Sequence, residues 1–157
     1  MTPVLQLRPF ELEEAGVVAP WFVAPGLAVP PGAAGRTWAA RMLADPRIVA
    51  RTARADEQRV GFVRLDIGPD RIAELTLVVA PELRRQGLGR SILAAITLEA
   101  RSRSVRRLRA AVDPANRGAL GFFLANGFRR RGQSGGTLHL ERSLRLAGSQ
   151  EPLEIEV

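Results

Sequence analysis

The chain has no cysteine, no tyrosine and no lysine, and its one histidine is His139. Without cysteine there is no disulfide framework, no thiolate nucleophile and no Cys-ligated zinc, and one histidine with few clustered acids makes a transition-metal site unexpected. Without lysine, Schiff-base chemistry and the P-loop lysine are excluded. Aromatics are scarce too, six Phe and two Trp, too few to supply stacking platforms for bases along a basic surface.

What is present is an aliphatic chain of 157 residues, 46% hydrophobic and 25% charged, the size of one folded unit. Residues 1–146 read as a single domain and residues 147–157 as an acidic C-terminal tail. All 23 basic residues are Arg, for a net charge of +7, and the excess is local: residues 84–131 hold twelve Arg against Glu99 and Asp113. Such asymmetry fits a phosphate-bearing partner, a nucleotide cofactor or a nucleic acid, and it also fits a solvated face of an Arg-favouring composition. The missing aromatic interleaving weighs against nucleic acid, and none is expected as a partner.

The first residues, MTPVLQLRPFELEE, lack a basic start followed by an apolar run, so no signal peptide is expected and a cytoplasmic location follows. Residues 15–35 carry no charge over 21 positions, enough to cross a bilayer. Pro20, Pro25, Pro30 and Pro31, with Gly16, Gly26, Gly32 and Gly35, would break such a helix repeatedly, so an irregular apolar segment covered by the core is expected and no membrane contact.

Periodicity orders the rest as β α α β β β α β α β β. Strands are read at residues 4–8, 48–53, 60–67, 72–80, 108–112, 128–133 and 137–144, with residues 54–58 as a polar hairpin connector and the first four strands forming an antiparallel meander. Leu12, Ala15 and Val18 suit a short helix, and residues 38–43 a second one stopped by Asp45-Pro46. Leu88, Ile92, Ala95 and Ile96 share one face of a third helix. Asn116 is the expected N-cap of a fourth, with Leu120, Phe123 and Leu124 inward and Asn126-Gly127 as its left-handed end.

A strand running into Gly87-Leu88-Gly89 and then a helix gathers unpaired backbone N–H groups around one point, where an anion is favoured. A Cβ there would hold the anion off, and Arg84, Arg85 and Arg90 add charge at the mouth. The dinucleotide fingerprint fails, because Ile92 stands where its third Gly belongs, and the P-loop ending is absent. Gly-x-Gly alone fits a tight turn as well as a phosphate cradle.

Residues 79–90, VAPELRRQGLGR, resemble the acetyl-CoA signature Gln/Arg-x-x-Gly-x-Gly/Ala of the GNAT family of N-acetyltransferases, and residues 116–128, NRGALGFFLANGF, resemble its second cofactor motif. The resemblance is sharp over residues 72–128 and topological outside them. It implies an α/β (α+β) GNAT fold: a mixed, mostly antiparallel seven-stranded sheet flanked by helices, with a V-shaped splay between strands 4 and 5. It further implies an acyltransferase that moves an acetyl group from acetyl-CoA to a primary amine of a small molecule or peptide, by direct attack in a ternary complex. The backbone of Arg85, Gln86, Gly87, Leu88, Gly89 and Arg90, beside Arg84, would hold the CoA pyrophosphate, and Leu77, Val78 and Val79 would pair with the pantetheine arm. An amide near Val78 would meet the developing oxyanion. Asn116 would touch pantetheine or only cap its helix, and Phe123 would line the slot. Glu74 matches the acid that one branch uses as general base, and reads equally as a structural acid. A homodimer is in keeping with the family.

Two departures matter. Phe123 stands where the family often has a Tyr that protonates the departing thiolate, and Ala111 stands where another branch places a catalytic Glu. Water or the ammonium product would then be the proton donor, with His139 a reserve base. These departures also keep open a non-catalytic acyl-CoA-binding regulatory module of the same fold. The apolar stretch with Trp21, Phe22 and Trp38 hints at a small or apolar-flanked acceptor.

Overall fold

The computed structural model describes residues 4–23, 35–84 and 86–144. Strand β1 spans Leu5–Pro9; a 3₁₀ turn (Leu12–Glu14), the one-turn helix α1 (Ala15–Val18) and a second 3₁₀ stretch (Ala19–Val23) follow. Helix α2 is Arg36–Ala44, and the meander continues through β2 (Ile48–Ala55), β3 (Gln58–Ile67) and β4 (Ile72–Val79). A 3₁₀ turn at Pro81–Leu83 leads to α3 (Leu88–Ser102), β5 (Arg107–Val112), α4 (Arg117–Ala125), β6 (Arg129–Ser134) and β7 (Thr137–Ser143). The seven strands lie in the order β1-β2-β3-β4-β5-β7-β6. Every neighbouring pair is antiparallel except β4 with β5, which is parallel and crosses over through α3.

The sheet has an apolar layer on each face. Helix α3 sends Ile92, Leu93, Ile96, Thr97 and Ala100 onto one face, where they meet Val63, Leu65, Ala73, Leu108 and Leu140. On the other face, Phe10, Phe22, Trp38 and Phe62 form edge-on or tilted pairs with ring centroids 5.2–6.3 Å apart. Trp21 (7% exposed) and Phe22 (6%) are therefore core residues rather than an acceptor rim. The part of the apolar stretch at residues 24–34 lies outside the described residues.

Local expectations fail in three places, each for a tertiary reason. The β2–β3 connector is shorter than read: pairing continues to Ala55 opposite Gln58, and the chain turns on Asp56 and Glu57, with Asp56 at φ 55°, a left-handed value Asp tolerates. Leu124 points outward at 39% exposure because the inner face of α4 is taken by Phe123, which packs on Phe128 at 5.0 Å. The end of α4 turns on Gly127 at φ 87° alone, Asn126 keeping φ −105°.

Across β5, β6 and β7 the face away from α3 is polar. Glu141 accepts from Arg109 Nε at 2.9 Å, from Arg107 Nη1 at 3.2 Å and from Arg131. Burial pushes its carboxyl up, but the bonds from Arg109 and Arg131 and the charges of Arg131 and Arg107 outweigh burial and hold it below the ordinary 4.5. A carboxyl depressed by folding contributes stability above its unfolded pKa, and that contribution is lost as pH falls through the folded value. Glu141→Gln is expected to cost about 2 kcal/mol at neutral pH, because three guanidiniums lose their anion. It should also flatten the decline in wild-type stability below about pH 5, read from urea midpoints against pH.

Candidate functional site

The parallel pairing of β4 with β5 covers only Ile72, Ala73 and Glu74, opposite Arg107, Leu108 and Arg109. Past Glu74 the register stops while β4 runs on to Val79, still paired with β3 as far as Val79 opposite Gly61. One edge of β4 thus has no strand partner along its last five residues, presenting backbone groups at an internal sheet edge. The expected splay between strands 4 and 5 is present.

Into this opening runs the start of α3. Gly87 is its N-cap at φ 79°, no side chain caps the helix, and no acidic residue lies in its first turn. Ser91 N bonds back to Gly87 O at 3.3 Å, so the N–H groups before it have no helical acceptor and face the mouth. A Cβ built on Gly87 meets nothing within 4 Å, so space in front of the turn is open and the glycine is required by its dihedral. Gly89 serves packing instead: a Cβ there would sit 3.2 Å from Phe122 Cε1. Arg84 is exposed and donates from Nε to Val79 O at 3.3 Å, which lays its guanidinium beside the end of β4.

The result is a cleft of about 570 Å³. Of the residues expected there, Leu77, Val78, Val79 and Arg84 line it on the β4 side, and Gly87, Leu88, Gly89 and Arg90 line it at the helix start. Asn116 and Phe123 line it from α4. Gln86 is exposed and is not part of the wall, and Arg85 lies outside the described residues. Asn116 Oδ1 accepts from Ala119 N at 3.1 Å, so it does cap α4.

Ala119, Phe122 and Asn126 also line the cleft, and sequence reading missed them. Their spacing of three and four puts them on one helical stripe of α4. That stripe was legible as a helix face, but which face met a cleft was not. Asn126 Nδ2 donates to Phe122 O at 2.7 Å, which ties the stripe's end to the helix. Glu74 is not among the lining residues. It is exposed, it sits at the last paired register of the V opposite Arg109, and its charge helps to raise the Arg109 pKa. Among the described residues no helix is long and apolar enough to cross a membrane.

The geometry suits a long, narrow ligand with an anionic end at the helix start and an amide-bearing arm along β4. Comparison with known proteins agrees with the architecture. The model of a family described as the acetyltransferase (GNAT) family matches residues 18–128. A solved acetyltransferase from Thermus thermophilus superposes with a TM-score of 0.76 at 27% identity, over 92% of this chain and all (100%) of that one. The PaiA N-acetyltransferase of Thermoplasma acidophilum, solved in complex with coenzyme A, shares the fold at TM-score 0.76 and 19% identity, over 90% and 99% of the two chains. A mycothiol acetyltransferase from Cellulomonas flavigena is 46% identical over 52 residues, a match that spans 33% of this chain and only 15% of that protein's length.

Proposed function

Since the chain belongs to the GNAT family of acetyltransferases, whose pattern runs through residues 18–128, we propose that its cleft binds acetyl-CoA and that the protein transfers the acetyl group to a primary amine. One observation carries this reading: β4 loses its β5 partner after Glu74, and the uncapped start of α3 opens onto the same cleft. The residues suit the ligand. Positive charge at Arg84 and Arg90, no acid in the first helical turn and open space before Gly87 favour a diphosphate.

In this reading the amides from Gly87 to Arg90 hold the pyrophosphate, with the Arg84 and Arg90 side chains beside it. The free edge of Leu77, Val78 and Val79 pairs with the pantetheine arm, which lies against Asn116 and Phe123. The thioester supplies the activated acetyl group, so no covalent enzyme intermediate is needed, in keeping with a chain that lacks cysteine. A backbone amide near Val78 stabilises charge developing on the thioester oxygen. Glu74, at the apex of the V, is an exposed carboxylate that draws an incoming ammonium.

The test is calorimetric titration of the full chain with CoA, then release of CoA thiol from acetyl-CoA with spermidine, tyramine and a seryl tripeptide as amines. The chain has no thiol of its own, so every thiol counted is a product. Binding together with thiol release supports the reading, binding without release by any amine favours a non-catalytic module, and no binding overturns both. Glu74→Gln is expected to lower turnover about tenfold while CoA affinity stays within twofold of wild type, as follows if its carboxylate acts on the amine side.

A further inference from the structure

Side chains on β5 and β7 alternate between the two faces of the sheet. Leu108, Ala110, Val112, Leu138 and Leu140 enter the core under α3, so Arg109, Ala111, His139 and Glu141 stand on the opposite face. The same alternation along β4 sends Ala73 and Leu75 toward α3 and turns Glu74 and Thr76 the other way. The opening between β4 and β5 therefore joins two sides. The cleft wall from α3 and α4 occupies one, which leaves the other as the approach for an amine.

His139 is the register partner of Ala111 on β5 and of Gly132 on β6. Its direct register partners thus carry a methyl group on one strand and no side chain on the other. Ala111 is exposed and lies two residues beyond Arg109, the last β5 residue paired with β4. It borders the opening, so the backbone of His139 runs one strand spacing, about 4.8 Å, from that border. Ser134 Oγ lies 3.0 Å from Nε2 of His139 and fixes the ring. In the tautomer whose Nε2–H donates to Ser134 Oγ, Nδ1 is an acceptor.

The neighbouring carboxylates are differently placed. On the same face of β7, Glu141 is bonded by Arg107, Arg109 and Arg131. Asp66 on β3 is held by Arg64 at 2.6 Å, and Glu74 on β4 faces Arg109. From β6 the charged neighbours are Arg131, bonded to Glu141, and Arg129, the register partner of Glu141. His139 is thus held by a serine, whereas Glu141 and Asp66 are held by arginines.

We propose that His139 takes the proton from the attacking amine, with Ser134 as its positioning residue, an assignment that rests on the acetyl-transfer reading above. Nδ1 removes one proton from the ammonium through a water molecule. The freed nitrogen lone pair attacks the thioester carbonyl carbon, the C–N bond forms and the C–S bond breaks. A second N–H proton leaves with the CoA sulfur as thiol, and the imidazolium returns its proton to solvent.

His139→Gln and Ser134→Ala are compared with wild type by thiol release on whichever of spermidine, tyramine and the seryl tripeptide turns over fastest, from pH 5.5 to 9. His139→Gln is expected to lower kcat about 100-fold, to abolish the acidic limb of kcat/KM, and to leave CoA affinity within twofold, which also reports that the variant is folded. Ser134→Ala should lower kcat about fivefold, with the limb retained but moved. Diethyl pyrocarbonate should inactivate wild type with one histidine modified per chain, reversibly in hydroxylamine. A His139→Gln enzyme within threefold of wild type with its limb intact, or a limb lost only in Glu74→Gln, overturns the assignment. Wild type that binds CoA but releases no thiol with any of the three amines refutes the acetyl-transfer reading itself, and the assignment falls with it.

Discussion

Gly61→Ala is expected to destabilise the fold by about 2 kcal/mol, and Gly61→Val by about 3 kcal/mol or more, through overpacking at the pairing of β3 with β4. A Cβ at Gly61 would stand 2.5 Å from Ile92 Cδ1 and 2.9 Å from Val78 O. The isoleucine methyl can rotate away, but the carbonyl belongs to the backbone and moves only if β4 moves. The conformational freedom that alanine removes from the unfolded chain offsets under 1 kcal/mol of this. Because Gly61 pairs with Val79, and Val78 and Val79 line the cleft, the displaced strand should carry a loss of CoA affinity as well. Urea unfolding gives the first quantity and calorimetry the second. A Gly61→Ala protein with the wild-type midpoint would mean that β3 and β4 have slack here.

The second large effect is expected at Gly87, where valine should weaken CoA binding about 30-fold, or about 2 kcal/mol at 1.4 kcal/mol per tenfold. The residue holds φ 79° with nothing within 4 Å of a built Cβ, so no protein atom would clash. The cost comes instead from the dihedral, which a β-branched residue resists, and from a side chain standing in the space an anion would fill. Relaxing the dihedral would turn the first amides of α3 away from the mouth. Gly87→Asn separates the two causes, since Asn tolerates left-handed φ. It should recover part of the affinity that valine loses. Wild-type CoA affinity in Gly87→Val would remove the helix start from the binding site.

Much of the fold was legible from local pattern. The β-branched run of residues 72–80 and the spacing of Leu88, Ile92 and Ile96 mark a strand and a helix face without reference to anything distant, and Asn116 reads as a cap because capping acts over three residues. The turn at the start of α3 was legible for a related reason. A glycine between a strand and a helix tells its own dihedral story, and Gly87 has the positive φ that story needs.

Other features had no local trace. Gln86 sits inside the motif yet outside the wall, because a turn decides which of its residues face inward. Phe122 enters the cleft while Leu124 faces solvent, a choice made by the rotation of α4 against Phe128. Trp21 and Phe22, apolar on an apolar stretch, suggested a rim and were claimed instead by Phe62 and Trp38.

By itself the sequence determined the order of elements and the turn at Gly87, since each depends on dihedral preference or periodicity within a few residues. Only the tertiary structure decided that β4 parts from β5 after Glu74, that Gly61 lies against Val78, and that His139 stands beside Ala111 at the opening. Those juxtapositions come from pairing and packing between residues tens of positions apart, and no local propensity encodes which strands will meet.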